Sequence, residues 1–371
     1  MIGQSKGSTL AACLAVVVLA GPALAAPLDM QAVNDAQWVS SRSDKNQTSR
    51  TDNKQTPRKA KASTSRNADG RMTPMLIKAQ VLLDRARFSP GEIDGKSGEN
   101  FKKALSGFAA DQGLSSTGEL TEDIWQALSP FSAEPILVEY TIAEGDVRGP
   151  FAKTIPSRLE MMKDLPSLAY TSAREKIAEK FHMSQDLLQA LNPGQKFEAA
   201  GDTIVVTKVA ADQLPEKATR IEVDKSAKVL KVFGRDQKLL ALYPATVGSR
   251  EKPAPSGRLK VTGVSKNPTY RYNPKYAFKG VRTSEPFTIK AGPNNPVGVV
   301  WIGLSSEGFG IHGTPDPAKV SKTESHGCIR LTNWDALRLA SAVNKGVPVD
   351  FSGDDQAGRT ARAQAGKSKG R

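Results

Sequence analysis

Two of the three histidines and one of the two cysteines fall within seventeen residues, in the runs Ile311-His312-Gly313-Thr314 and Ser325-His326-Gly327-Cys328-Ile329-Arg330-Leu331. A thiol is a weak nucleophile at its free pKa of about 8.5 and needs a base or a positive environment to act. An imidazole titrates near neutrality, so it can take the thiol proton and later return one to a leaving amine. Glycines beside both groups let backbone come close and present N–H donors, which a tetrahedral oxyanion requires. A metal is the competing reading. Structural zinc takes four ligands, however, and no further cysteine remains beyond the N-terminal leader, nor is a carboxylate placed to complete a catalytic site. No metal or cofactor is expected. Histidine is scarce in this chain, so two of them beside the thiol are read as chemistry, not coincidence.

Short strands must hold this late loop. Ile221 and Val223, then Val229 with the 230–233 run, then 239–243 alternate as a meander. Further β-rich stretches cover 259–264, 286–290 and 299–304. A single helix over 334–344 follows the cysteine, capped by Thr332 or Asn333. Two smaller segments precede this one. In 73–130, Leu76, Ala79, Leu82, Leu83 and Ala86 have helical spacing, Phe101, Ala104, Leu105 and Phe108 share a second helical face, and Ile124, Trp125 and Leu128 a third. Thr121 caps the third. In 136–210, 138–142 and 203–207 read as strands flanking helices over 173–181 and 184–191, with an insertion of about thirty residues after the first strand. His182, at a helix end, is read as structural or exposed and not as a ligand.

The N-terminus reads as an export leader over 1–25. Lys6 lies in a polar start, 10–19 is apolar, and Ala23-Leu24-Ala25 fits a small-x-small cleavage site before Ala26. Gly21-Pro22 interrupts the apolar run too early for a comfortable membrane span, so no stable span is expected after cleavage. An uncleaved anchor is the alternative. Cys13 precedes most of the apolar run and so does not suit lipid attachment. The net charge of +14 is concentrated in 42–71 and 359–371. Both lack the apolar residues that offset chain entropy, so 26–72 is expected to be a disordered basic linker and 352–371 a disordered basic tail. The basic balance suits an acidic wall polymer or anionic envelope surface. Nucleic acid is not an expected partner of an exported chain without interleaved aromatics.

The Ile-His-Gly-Thr and Ser-His-Gly-Cys-Ile-Arg-Leu runs resemble the active-site signature of the L,D-transpeptidases, with a YkuD-type catalytic domain. Tyr243-Pro244, Thr246-Val247-Gly248, Pro255-Ser256-Gly257 and Gly292-Pro293-Asn294-Asn295-Pro296-Val297-Gly298 agree with it. The resemblance spans 219–351. It implies a periplasmic or envelope enzyme of peptidoglycan. Cys328 would attack the stem tetrapeptide between its third and fourth residues, and His312 would serve as base, oriented by the Gly313 carbonyl. His326 and Gly327 would shape the loop and the oxyanion donors, while Arg330, Ser325 and Gly313 are candidate substrate contacts. The acceptor is an amine of a second stem or of an envelope protein. Water instead would make a carboxypeptidase or endopeptidase, and a non-catalytic wall-binding protein is the remaining alternative. The 73–130 segment resembles a three-helix peptidoglycan-binding domain, with a helical spacer as its alternative, and 136–210 resembles a LysM module despite its insertion. The expected fold is therefore multidomain α+β: a three-helix domain, a small LysM-like α+β segment, and a mainly-β, sandwich-like catalytic domain.

Overall fold

The computed structural model describes residues 28–38, 71–249, 251–276, 281, 283–325 and 327–353. The leader over 1–25, the basic stretch 39–70, the tail from 354 and His326 lie outside them. The helices α1 (Met30–Asn34), α2 (Pro74–Arg85), α3 (Glu99–Asp111) and α4 (Glu122–Leu128) come first. Thr73 and Thr121 cap α2 and α4 by accepting from the Leu76 and Ile124 N–H groups, at 3.2 and 3.4 Å. The helix α1 corrects the expectation that 26–72 is linker throughout. Val33 is fully buried, and Asn34 Oδ1 accepts from both the Ile136 and Leu137 N–H groups at 2.8 Å. Val33, with Met30 packed beside it, and one side-chain amide that mimics a strand edge dock this short helix, and none of these makes a visible period.

The second segment runs β1 (Leu137–Thr141), the turns α5 (Glu144–Val147) and α6 (Leu159–Met162), then α7 (Ala173–Lys180), α8 (Gln185–Leu191) and β2 (Thr203–Thr207). β1 and β2 pair antiparallel, Leu137 opposite Thr207 and Thr141 opposite Thr203. Leu82, Phe108 and Ile124 belong to the same apolar cluster as Leu188, Phe197 and Val206, so the first two segments share one core.

The third segment contains β3 (Arg220–Asp224), β4 (Val229–Phe233), β5 (Leu239–Pro244), β6 (Thr246–Val247), β7 (Gly257–Lys266), β8 (Tyr270–Tyr272), β9 (Phe287–Ile289), β10 (Val300–Leu304), β11 (Gly310–His312), β12 (Ile329–Arg330), α9 (Asn333–Ala342) and β13 (Pro348–Ser352). Nine of the strands follow the order β5-β4-β3-β13-β7-β10-β11-β12-β6. The first half of the ten-residue β7 pairs with β13 and its second half with β10. β7 is thus shared by two halves whose inward residues, including Ile221, Val232, Ile302, Ile311 and Ile329, form a second core. β8 and β9 make a separate hairpin.

Helix α9, immediately after the Cys328 run, is gripped by all three segments. Thr332 is its cap, accepting from the Asp335 N–H at 3.2 Å, and Asn333 is its first helical residue. Ser89 donates to Asp335, His182 stacks on Trp334 at 5.1 Å, and Arg338 pairs with Asp84 through two bonds of 3.1 and 3.2 Å. His182, read as structural or exposed, is buried with Nδ1 3.0 Å from Asp84. Burial opposes charge here, but Arg338 and His182 outweigh it and hold the Asp84 carboxyl well below the usual range.

Candidate active site

Neighbouring strands bring the thiol and the imidazole to one face of the sheet. β11 and β12 run parallel, with Ile311 opposite Ile329 and His312 opposite Arg330. Continuing this register places Cys328 beside Gly310. The Gly310 backbone N–H favours the Cys328 thiolate. Alternation sends Ile302, Ile311 and Ile329 into the core, so Trp301, His312, Arg330 and Cys328 share the opposite face. Trp301 stacks on the His312 ring at 5.6 Å and 18°.

His312 is buried, and its Nδ1 lies 2.6 Å from the Gly313 carbonyl oxygen. A carbonyl can only accept, so Nδ1 carries the proton and Nε2 keeps its lone pair. Burial pushes the imidazole pKa down to about 3, and Arg330 adds to the depression while the Gly313 bond partly offsets it. Burial pushes the Cys328 thiol up, against the Gly310 N–H and the Arg330 charge. The resting pair is therefore a neutral thiol and a neutral base, and the proton moves during the reaction. Such a pair can perform acyl transfer through sulfur.

The other expected residues divide. Gly327 takes φ +102°, and a Cβ there would lie 2.8 Å from the Phe309 ring, so only glycine fits this turn before Cys328. Arg330 is half-buried on the site face, and its Nε has no hydrogen-bond partner among the described residues. Ser325 and Gly313, expected among substrate contacts, turn inward. The buried Ser325 hydroxyl donates to the Cys328 carbonyl at 2.6 Å and closes the turn. The Gly313 N–H donates to the Val300 carbonyl at 3.3 Å. A Cβ on Gly313 would lie 2.2 Å from Asn333 Oδ1, and one on Gly298 2.1 Å from the same atom. Both glycines make room for one asparagine.

Sequence reasoning missed Tyr270 and Asn333. Burial raises the Tyr270 phenol, and the Cys328 group raises it further. Tyr272, two residues on, is instead buried and stacked on Phe287 at 4.7 Å. A cavity of about 270 Å³ lies away from this chemistry, lined by Glu92, Glu175, Glu179, Asp186 and Asp316 at the junction of the three segments.

A half-buried thiol on the same sheet face as a tautomerically fixed imidazole has the form of a cysteine acyltransferase site. A family model for the L,D-transpeptidase catalytic domain, YkuD, matches residues 218–350, and one for a peptidoglycan binding domain matches 72–128. YkuD of Bacillus licheniformis, named as an L,D-transpeptidase, is 30% identical over 181 residues, 48% of this chain and 92% of that protein. YkuD of Bacillus subtilis, named likewise, is 30% identical over 180 residues, 47% of this chain and 91% of that protein. Among solved structures, the transpeptidase LdtMt1 in complex with imipenem is 20% identical over 41% of this chain and 63% of that chain, with a TM-score of 0.30, too low to add to the argument. The chain belongs to the L,D-transpeptidase family. It is an acyltransferase of peptidoglycan in the cell envelope, and no described helix is long and apolar enough to cross a membrane.

Proposed function

We propose that Cys328 is the nucleophile and His312 the general base of a transpeptidase that takes a tetrapeptide stem as donor. The observation that carries this reading is the β11–β12 register, with Nδ1–H held by Gly313 and Nε2 left for the thiol. Sγ attacks the carbonyl of the third stem residue as His312 takes the thiol proton. The C–N bond to the terminal D-alanine breaks, and the imidazolium returns the proton to that amine. An acceptor amine then attacks the thioester, gives up a proton to His312, and releases the thiolate, which is reprotonated. Gly327 is the proposed oxyanion side of the turn, with His326 next to it in the sequence, and Arg330 meets a stem carboxylate.

The acceptor is an amine of a second stem or of an envelope protein, and the N-terminal leader exports the chain to the periplasm. The 73–130 and 136–210 segments bind the wall. N-terminal sequencing of envelope-recovered protein should begin at Ala26, and Cys328→Ala protein should still pellet with sacculi.

The test is mass spectrometry of the purified protein with a disaccharide-tetrapeptide, Cys328→Ala serving as control. Cys328-dependent dimers joined between third residues support the reading, and turnover surviving in Cys328→Ala sinks it. Tripeptide without dimers makes water the acceptor. Imipenem should leave an adduct on the wild-type protein and none on Cys328→Ala.

A further inference from the structure

The carbonyl that orients His312 belongs to the peptide group joining Gly313 and Thr314, and the opposite end of that group is also held. The Thr314 N–H donates to Asn333 Oδ1 at 3.1 Å, and the Val299 N–H donates to the same oxygen at 3.2 Å. The peptide plane is thus pinned at its oxygen by His312 and at its N–H by Asn333. Asn333 is buried, and its Nδ2 faces the Glu179 carboxyl, 3.2 and 3.1 Å from the two oxygens, with the Pro293 carbonyl at 3.3 Å. Every hydrogen-bonding position of the amide is filled, which fixes which end faces the catalytic loop.

We propose that Glu179 of α7 is a positioning residue for the transpeptidation reaction, acting through Asn333 on the peptide group that orients His312. Glu179 comes from the second segment, 154 residues from Asn333 in sequence. Without it, one Nδ2 hydrogen loses its partner in a buried place, and the amide can turn toward other acceptors. Hydrogen bonds in series polarise one another, so a firm Asn333 also strengthens the Gly313 carbonyl as an acceptor for Nδ1–H. Burial pushes Glu179 up to about 8, partly offset by the Asn333 bond, so the carboxyl is mostly neutral at pH 7 and glutamine is a close replacement. Glu175, one turn earlier on α7, makes a parallel contact by accepting from Asn294 Nδ2 at 2.9 Å. That contact docks the helix without touching the 313–314 peptide group, so it separates docking from positioning.

This inference rests on His312 as the base. The test combines steady-state kinetics on disaccharide-tetrapeptide with the proton NMR resonance of His312 Nδ1–H, in E179A, Glu179→Leu, E179Q and E175A. E179A and Glu179→Leu should lower kcat at least about tenfold with KM within about twofold, and should move the Nδ1–H resonance upfield. E179Q should restore both, and E175A should behave as wild type. The inference is overturned by wild-type kcat in E179A, by an unmoved resonance, by failure of E179Q to restore either quantity, or by equal impairment in E175A. If Ala and Leu variants both fail to fold while E179Q is native, Glu179 serves docking alone and the inference also falls. Because the resonance needs no turnover, it reads this link even if the Cys328→Ala control overturns the nucleophile assignment.

Discussion

At the scale of single residues, burial sets the chemistry. A free imidazole of pKa about 6.5 would be only about 3% neutral at pH 5 and useless there as a base. His312, held near a pKa of about 3, stays neutral at that pH. The kcat/KM profile should therefore keep at least about half its pH 6.5 value at pH 5, whereas a solvent-like histidine would lose nearly all of it. Stopped-flow acylation across pH 4.5–7 decides this, and a steep fall centred near 6.5 would refute the buried-base picture. His312→Ala should slow acylation at least about a hundredfold. Gly313→Ala forces a methyl into Asn333 Oδ1, so the asparagine must move and turnover should fall at least about tenfold while the protein still folds.

At the scale of elements, α9 connects site and scaffold. Its first residue holds the His312 loop, and five residues later Arg338 is fully buried against Asp84. Removing one partner of such a pair leaves a charge stranded in a dry place. Asp84→Ala should destabilise the protein by about 3–5 kcal/mol in urea unfolding. A loss below about 1 kcal/mol would mean that water reaches Arg338 in the variant. The helix itself was legible from its apolar spacing. Its partners were not, because Asp84 lies 254 residues earlier and carries no local mark of burial.

Taken whole, the molecule is a fused body. The first two segments share a core, and the backbone of Leu242 on the edge strand β5 bonds to Arg87 and Ser89. A chain starting at Leu214 loses Asp84, His182 and Glu179 together, and should melt well below the intact protein by circular dichroism. Equal melting would show that the catalytic segment stands alone. Titration gives a second whole-molecule prediction. Glu179 folds with a pKa of about 8 against 4.5 for a free carboxyl, because burial outweighs its hydrogen bonds. Burial lowers the His182 pKa, but Asp84 and Asp212 outweigh it, and the net shift is upward. Both groups hold more protons folded than unfolded between pH 7 and 8.5. Their contribution is complete below their unfolded pKa values and is lost as pH rises through the folded ones, so stability falls across that window. His312 opposes this only below about pH 7, where its unfolded form takes up a proton. Calorimetry should find a lower Tm at pH 8.5 than at pH 7, with a smaller difference in Glu179→Gln.

The family, the enzyme class, the proposed thiol and base, and most elements were readable in the sequence, because each is written locally. The nucleophile run is contiguous, strand and helix periods need only a few turns, and caps lie within three residues of what they cap. The tertiary structure alone decided what holds the 313–314 peptide group, why two glycines yield to Asn333, where His182 resides, and that 28–38 is docked. Each of those depends on a pair of residues brought together from distant parts of the chain, where packing and desolvation, not local pattern, set the contact.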